Sequence, residues 1–269
     1  MLCCLFSLIS FAETKTENEH QKDHQAGELY LPVKDQMLVI DETLAKARAN
    51  NKLALIVMGA NWCHDSRGMA SKLSLPEIKE SIDKHYEVLF VDVGYYTKIK
   101  AVINRFGMPV IYSTPTVLVI DPESEKVINQ HNMLLMRDAA SVSEIEVQEY
   151  FENIANAQEE LKRTARRKND NPRLANLNQS IDDFERMQAE RIYRAFGVIG
   201  PLIKEKKEGA DPKDFGKIWK VISKLRYTIT DDLEKLRRRA KEISKTDSSK
   251  EKLIFPKYPP FEWEKDDAG

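Results

Sequence analysis

Three observations predict an α/β domain followed by an α-helical hairpin. Short apolar runs alternate with helical patterns as far as about residue 158, the signature of a β-α-β domain. A lone cysteine stands where the first of those runs gives way to a helix. Beyond residue 158, two long apolar stripes recur at spacings of three and four, each the face of a helix.

The elements follow in order. A helical stretch covers Asp41 to Asn50, and Leu53-Ala54-Leu55-Ile56-Val57-Met58 is a continuous apolar strand. Gly59-Ala60-Asn61 breaks it, and Ser66 to Leu75 reads as helix, so Trp62-Cys63-His64-Asp65-Ser66 falls at a helix N-terminus. Unpaired N–H groups and the positive end of the helix dipole stabilise a thiolate at such a place, which makes Cys63 the candidate nucleophile. A second strand covers Tyr86 to Val93, a short helix Lys98 to Phe106, and Ser113-Thr114-Pro115-Thr116 leads into the strand Val117 to Ile120. A turn at Asp121-Pro122-Glu123-Ser124 follows. The last helix of this domain spans about Glu144 to Glu160, with Ile145, Tyr150, Phe151 and Ile154 as its apolar positions.

These residues resemble the thioredoxin superfamily over roughly Met37 to Ala157. Trp62-Cys63-x-x-Ser66 matches the family's Trp-Cys-x-x-Cys except at its last position, and Pro115 matches the cis-proline before the third strand. Taken alone, Thr-Pro-Thr reads as an ordinary turn proline at a strand entrance. After a βαβ pattern that carries Trp62-Cys63, the family role is the better reading. More narrowly, Gly-Ala-Asn-Trp-Cys-His-Asp-Ser-Arg, Val-Asp-Val-Gly and Ser-Thr-Pro-Thr are similar to a group of bacterial thioredoxin-family proteins. The resemblance implies a thioredoxin-like fold over 37–158 and thiol-disulfide chemistry at Cys63. It also implies a substrate groove in which Thr114, beside Pro115, offers backbone groups to an extended peptide.

The departures from the family pattern narrow that chemistry. Ser66 replaces the resolving cysteine, so a mixed disulfide on Cys63 has to be cleared by an outside thiol. The buried acid that the family carries six residues before the cysteine is here Val57, with Asp65 as a candidate substitute. His64 and Arg67 lie within one turn of Cys63 and can stabilise a thiolate, and the Ser66 hydroxyl can donate a hydrogen bond to the sulfur. The competing readings are a solvent-facing loop residue for His64, a surface salt bridge for Arg67, and a degenerate binding site for Cys63.

The chain's cysteines are Cys3, Cys4 and Cys63. The first two lie in an apolar stretch, residues 1–12, that resembles a secretory signal peptide with its cleavage site near Ser10-Phe11-Ala12. Cleavage would leave Cys63 alone, in an extracytoplasmic, periplasmic setting; a cytoplasmic location is the alternative. Residues 13–36 read as a flexible linker. The formal net charge of -1 gives no sign of a general nucleic-acid surface. The basic clusters Lys162-Arg163, Arg166-Arg167-Lys168 and Arg237-Arg238-Arg239 read as solvated helix faces. No segment is long and apolar enough to span a bilayer, and no glycine-rich phosphate loop or Cys/His zinc set occurs, so neither cofactor nor metal is expected.

The helical extension occupies 159–252. Its first pattern runs from about Asn176 to Glu208 on Leu177, Ile181, Phe184, Ile192, Phe196, Ile199 and Leu202, with Gly200-Pro201 expected to bend or interrupt it. The second starts after Gly209-Ala210, with Asp211 as N-cap and Pro212 at the first helical position. Its stripe is Phe215, Ile218, Trp219, Ile222, Leu225, Ile229, Leu233, Leu236 and Ile243. At ~1.5 Å per residue each arm extends roughly 45 Å, so the hairpin should partly project or wrap. Its stripes can close on each other and on the domain, or serve a protein partner. The tail, 253–269, is aromatic and proline-rich and reads as extended. The functional expectation is an exported protein that exchanges disulfides through Cys63 with protein thiols or a low-molecular-weight thiol. The alternative is a non-catalytic binding module that uses the arm and the Pro115 groove.

Overall fold

The computed structural model describes residues 29–166, 171–245 and 251–265. The expected signal segment with Cys3 and Cys4, most of the linker, and Arg167-Lys168 lie outside the described residues. The last part of the expected linker is anchored: Tyr30 is buried, its N–H and C=O bonded to the Asn61 side chain.

Helix α1 (Gln36–Ala49) begins earlier than its apolar pattern because Asp35 caps it, accepting from the Met37 and Leu38 N–H groups. Strand β1 (Leu53–Gly59) leads to α2 (His64–Leu73), for which Cys63 is the N-cap residue. The helix expected to reach Leu75 stops short, because Pro76 disfavours helical backbone at the residue before it. Pro76 then opens a helix absent from the sequence reading, α3 (Pro76–His85), where its missing N–H costs nothing. Strand β2 (Tyr86–Asp92), helix α4 (Lys100–Arg105) and strand β3 (Thr116–Asp121) follow, and the turn after Asp121 returns the chain as the two-residue strand β4 (Lys126–Val127).

The strand order is β2-β1-β3-β4, with β1 parallel to β2 and antiparallel to β3. Thr114–Pro115, immediately before β3, is cis. The domain therefore has a thioredoxin-like fold. Side chains alternate across the sheet. Ala54, Ile56, Met58, Leu118 and Ile120 join α1, α4 and the hairpin in one core. Leu53, Leu55, Val57, Val117 and Val119 join α2, α3 and α5 (Glu144–Asn156) in the other. On α5 the buried face is Val147, Tyr150, Phe151, Ile154 and Ala155. Ile145, expected on that face, is 69% exposed, since it lies two positions out of phase with it.

Helix α6 (Gln158–Arg166) ends at Arg166, whose guanidinium pairs with the buried Asp121 carboxylate; the Ser124 hydroxyl also donates to Asp121. Burial pushes the Asp121 carboxyl up, but Ser124 and Arg166 outweigh it and hold the group below its ordinary value. The unfolded chain therefore takes up this proton at a higher pH than the native one does, and the stabilisation is present near neutrality and lost as the pH falls through the depressed native value. Asp121→Asn is expected to cost about 2 kcal/mol at pH 7, and denaturant melts should show the gap from the parent chain narrowing below about pH 4.

Helices α7 (Pro172–Lys207) and α8 (Phe215–Ile243) form the antiparallel hairpin, tied at its open end by Asn171 to Ser244 O and by Arg237 to Asp182 and Glu185. Helix α7 runs through Gly200-Pro201 without interruption. Pro201 and Gly197, whose carbonyl loses its donor, both lie on the exposed side, where that oxygen is open to solvation. Helix α8 starts at Phe215 rather than Pro212, because Phe215 N bonds back to Pro212 O in a turn and Asp214 takes the left-handed conformation at φ 60°. Most of both stripes is buried in the chain's own core, which also takes in Phe261 of the tail. The apolar faces that the sequence left open to a partner are thus covered. Of the basic clusters, Arg166, Arg237, Arg238 and Arg239 all pair with carboxylates. Among the described residues no helix is long and apolar enough to cross a membrane.

Candidate functional site

The site lies where β1, the start of α2 and the chain before β3 meet. Gly59-Ala60-Asn61 ends β1, and Cys63 N bonds Ala60 O, a tight turn that sets the cysteine at the cap of α2 with extended backbone, φ -88° and ψ 125°. Cys63 is the only cysteine among the described residues and is 9% exposed. Its thiol donates to the Thr114 carbonyl at 3.0 Å, and the Thr114 hydroxyl donates to the sulfur at 3.4 Å. Both contacts come from the loop preceding β3, in which the Thr114–Pro115 bond is cis.

The other expected site residues divide. Trp62 donates its indole N–H to Gly94 O at 2.8 Å, and its ring stacks with Tyr95 and meets Tyr96 edge-on. His64 is exposed at the first position of α2. The expected Ser66–sulfur hydrogen bond is not formed: the Ser66 hydroxyl is fully buried and has no hydrogen-bond partner among the described residues, and the hydrogen bonds of the sulfur are to the two Thr114 oxygens. Asp65 accepts from Ala140 N at 3.1 Å, which directs its carboxylate at the 133–142 segment rather than making it a substitute acid for Val57. Arg67 donates to Asn61 O, bracing the turn before the cysteine.

The residue that sequence reasoning missed is Tyr30. Its phenol lies under the site and donates to Ser66 O at 3.1 Å, and its ring meets Phe90 edge-on. Burial pushes the phenol pKa up, and negative charge on the neighbouring Cys63 acts in the same direction, so Tyr30 stays a donor. Gly59 makes room for this arrangement. A Cβ there would meet the Ser66 hydroxyl at 2.6 Å and the Tyr30 ring at 2.7 Å. A single tyrosine at the end of an expected linker has no periodicity to announce it.

The surroundings of the mouth come partly from the hairpin. Tyr96 stacks on Phe196 of α7, Tyr227 of α8 lies under the Arg137 guanidinium, and the Tyr112 hydroxyl donates to Glu185. A solved structure similar to part of this chain is a disulphide isomerase from Xylella fastidiosa Temecula1, 26% identical, aligned over 48% of this chain and 98% of its own, at a TM-score of 0.45. No family model and no curated protein matches the chain. Among the described residues no group of three or more His, Cys, Asp or Glu side chains stands close enough to hold a metal ion.

Proposed function

We propose that the protein carries out thiol-disulfide exchange through Cys63 alone. The observation that carries this reading is the contact of the thiol with both oxygens of Thr114 next to the cis Pro115, at the N-terminus of α2. The Cys63 sulfur, having lost its proton, attacks one sulfur of a substrate disulfide; a new S–S bond forms to Cys63, the old one breaks, and the other half leaves as a thiolate. An outside thiolate then attacks the mixed disulfide and returns Cys63 to its starting state. Loss of the thiol proton also frees the Thr114 carbonyl from its resting donor, so that it can accept an N–H from an extended substrate segment.

The nearly buried sulfur favours thin substrates, a low-molecular-weight disulfide or an exposed peptide segment, over a rigid folded surface. With Ser66 in place of a second cysteine, each cycle consumes one external thiol. The apolar stretch 1–12 supports export as the setting. The reading is tested by mixing the reduced full-length protein carrying Cys3→Ser and Cys4→Ser, which leaves Cys63 as its one thiol, with a peptide disulfide that bears a chromogenic leaving thiol, then adding glutathione. One equivalent of leaving thiol per Cys63, followed by turnover only when glutathione is present, is the expected course. Absence of any release, or turnover without added thiol, contradicts it.

A further inference from the structure

We infer that the α7–α8 hairpin is a working part of the thiol site, in which Arg226 and Phe196 are positioning residues that hold Tyr96 and, through it, Trp62 beside Cys63. This rests on the reading of Cys63 as the exchanging thiol.

Tyr96 is the centre of the arrangement. Its backbone is left-handed at φ 65°, a conformation that a bulky side chain keeps only when its surroundings impose it. Those surroundings come from the hairpin. The Tyr96 ring lies flat on Phe196, with centroids 4.1 Å apart and planes within 4°, and its hydroxyl accepts from Arg226 at 3.3 Å. Arg226 is 3% exposed, yet no carboxylate among the described residues pairs with it and its Nε has no acceptor. It is held by the faces of Tyr96, Phe196 and Trp219, at 5.8, 5.6 and 5.8 Å, and by the hydroxyls of Tyr96 and Ser223. A cation this buried depends on those rings to offset its lost hydration, so its position and that of the Tyr96 ring are coupled.

The same loop grips the site on its other side. Tyr96 meets the Trp62 ring edge-on at 5.3 Å, Tyr95 stacks on it at 6.4 Å, and Gly94 accepts its indole N–H. Trp62 directly precedes the cap residue Cys63, so a shift of Tyr96 moves one wall of the sulfur's mouth. Gly200 adds a backbone anchor, since α7 approaches the Tyr95 carbonyl so closely that a Cβ would overlap it. A helical arginine with no acidic partner would ordinarily face solvent. This one faces the loop that holds the active-site tryptophan.

The test uses the full chain with Cys3→Ser and Cys4→Ser, so that Cys63 is its one thiol, and with Trp219→Phe, which keeps an aromatic ring beside Arg226, and Trp263→Phe, so that Trp62 is the sole reporter among its three tryptophans. In this background Arg226→Met and Phe196→Leu are each expected to lower the second-order rate constant of Cys63 with the chromogenic disulfide about tenfold and to shift Trp62 emission, with Arg226→Lys recovering part of both. A merely structural role would lower the melting temperature and leave both readouts unchanged well below it, and that result overturns the inference. So does reaction of folded Arg226→Lys and Phe196→Leu chains within about twofold of their parent, with unaltered Trp62 emission. If the parent does not react with the disulfide at all, the thiol-exchange reading falls, while the emission comparison still decides whether the hairpin sets Trp62.

Discussion

Cys63→Ser is expected to abolish disulfide exchange while leaving the fold in place. The substitution keeps a short side chain that can donate to the Thr114 carbonyl, so the turn at Ala60 and the cap of α2 lose no backbone hydrogen bond. A stability change within about 1 kcal/mol follows from the small loss of buried volume. The chemistry does not survive, because a serine hydroxyl at this position forms no S–S bond and, with Cys3→Ser and Cys4→Ser in the background, the chain has no other thiol. Release of the chromogenic thiol by Cys63→Ser, at a rate above that of the reagent alone, would move the activity elsewhere.

Gly200→Ala is expected to destabilise the protein by about 2–4 kcal/mol, although alanine is the better helix former by roughly 1 kcal/mol. The two effects oppose each other and packing wins. A Cβ at Gly200 runs into the Tyr95 backbone carbonyl, which cannot rotate away as the end of a flexible side chain could. Relief requires α7 to back off the 94–96 loop, which also unstacks Phe196 from Tyr96. Gly197, on the exposed side of the same helix with open space around it, is the control, and Gly197→Ala should gain what the propensity scale gives. Denaturant melts of the two variants decide the matter; equal stabilisation by both would mean that the hairpin is not locked to the loop.

The sequence made the strands and the cysteine's placement legible for identifiable reasons. Residues 53–59 are buried on both faces of the sheet and so form an unbroken apolar run. The cysteine stands at the boundary where that run meets a helical pattern, and a boundary can be read without knowing which way side chains point. The hairpin stripes were legible because a long helix repeats its buried face many times. What escaped depends on single residues. Pro76 serves as both a stop and a start, and the helix it opens, α3, lies just beyond the stretch Ser66 to Leu75 that reads as helical. Asp65 and Ser66 have the right chemistry for the sulfur, but the first bonds Ala140 N and the second has no hydrogen-bond partner among the described residues. Arg226 looks like any surface arginine until the fold places three aromatic rings around it, and the left-handed backbone of Tyr96 has no sequence mark at all.

The most direct measurement is peptide mapping by mass spectrometry of the full-length protein after brief exposure to oxidised glutathione and rapid acid quench. A single-thiol exchanger yields the Cys63 peptide carrying one glutathione, and the adduct disappears when reduced glutathione is added before the quench. A Cys63 peptide that stays unmodified while Tyr30, Thr114 and the rest of the site remain folded would contradict the account.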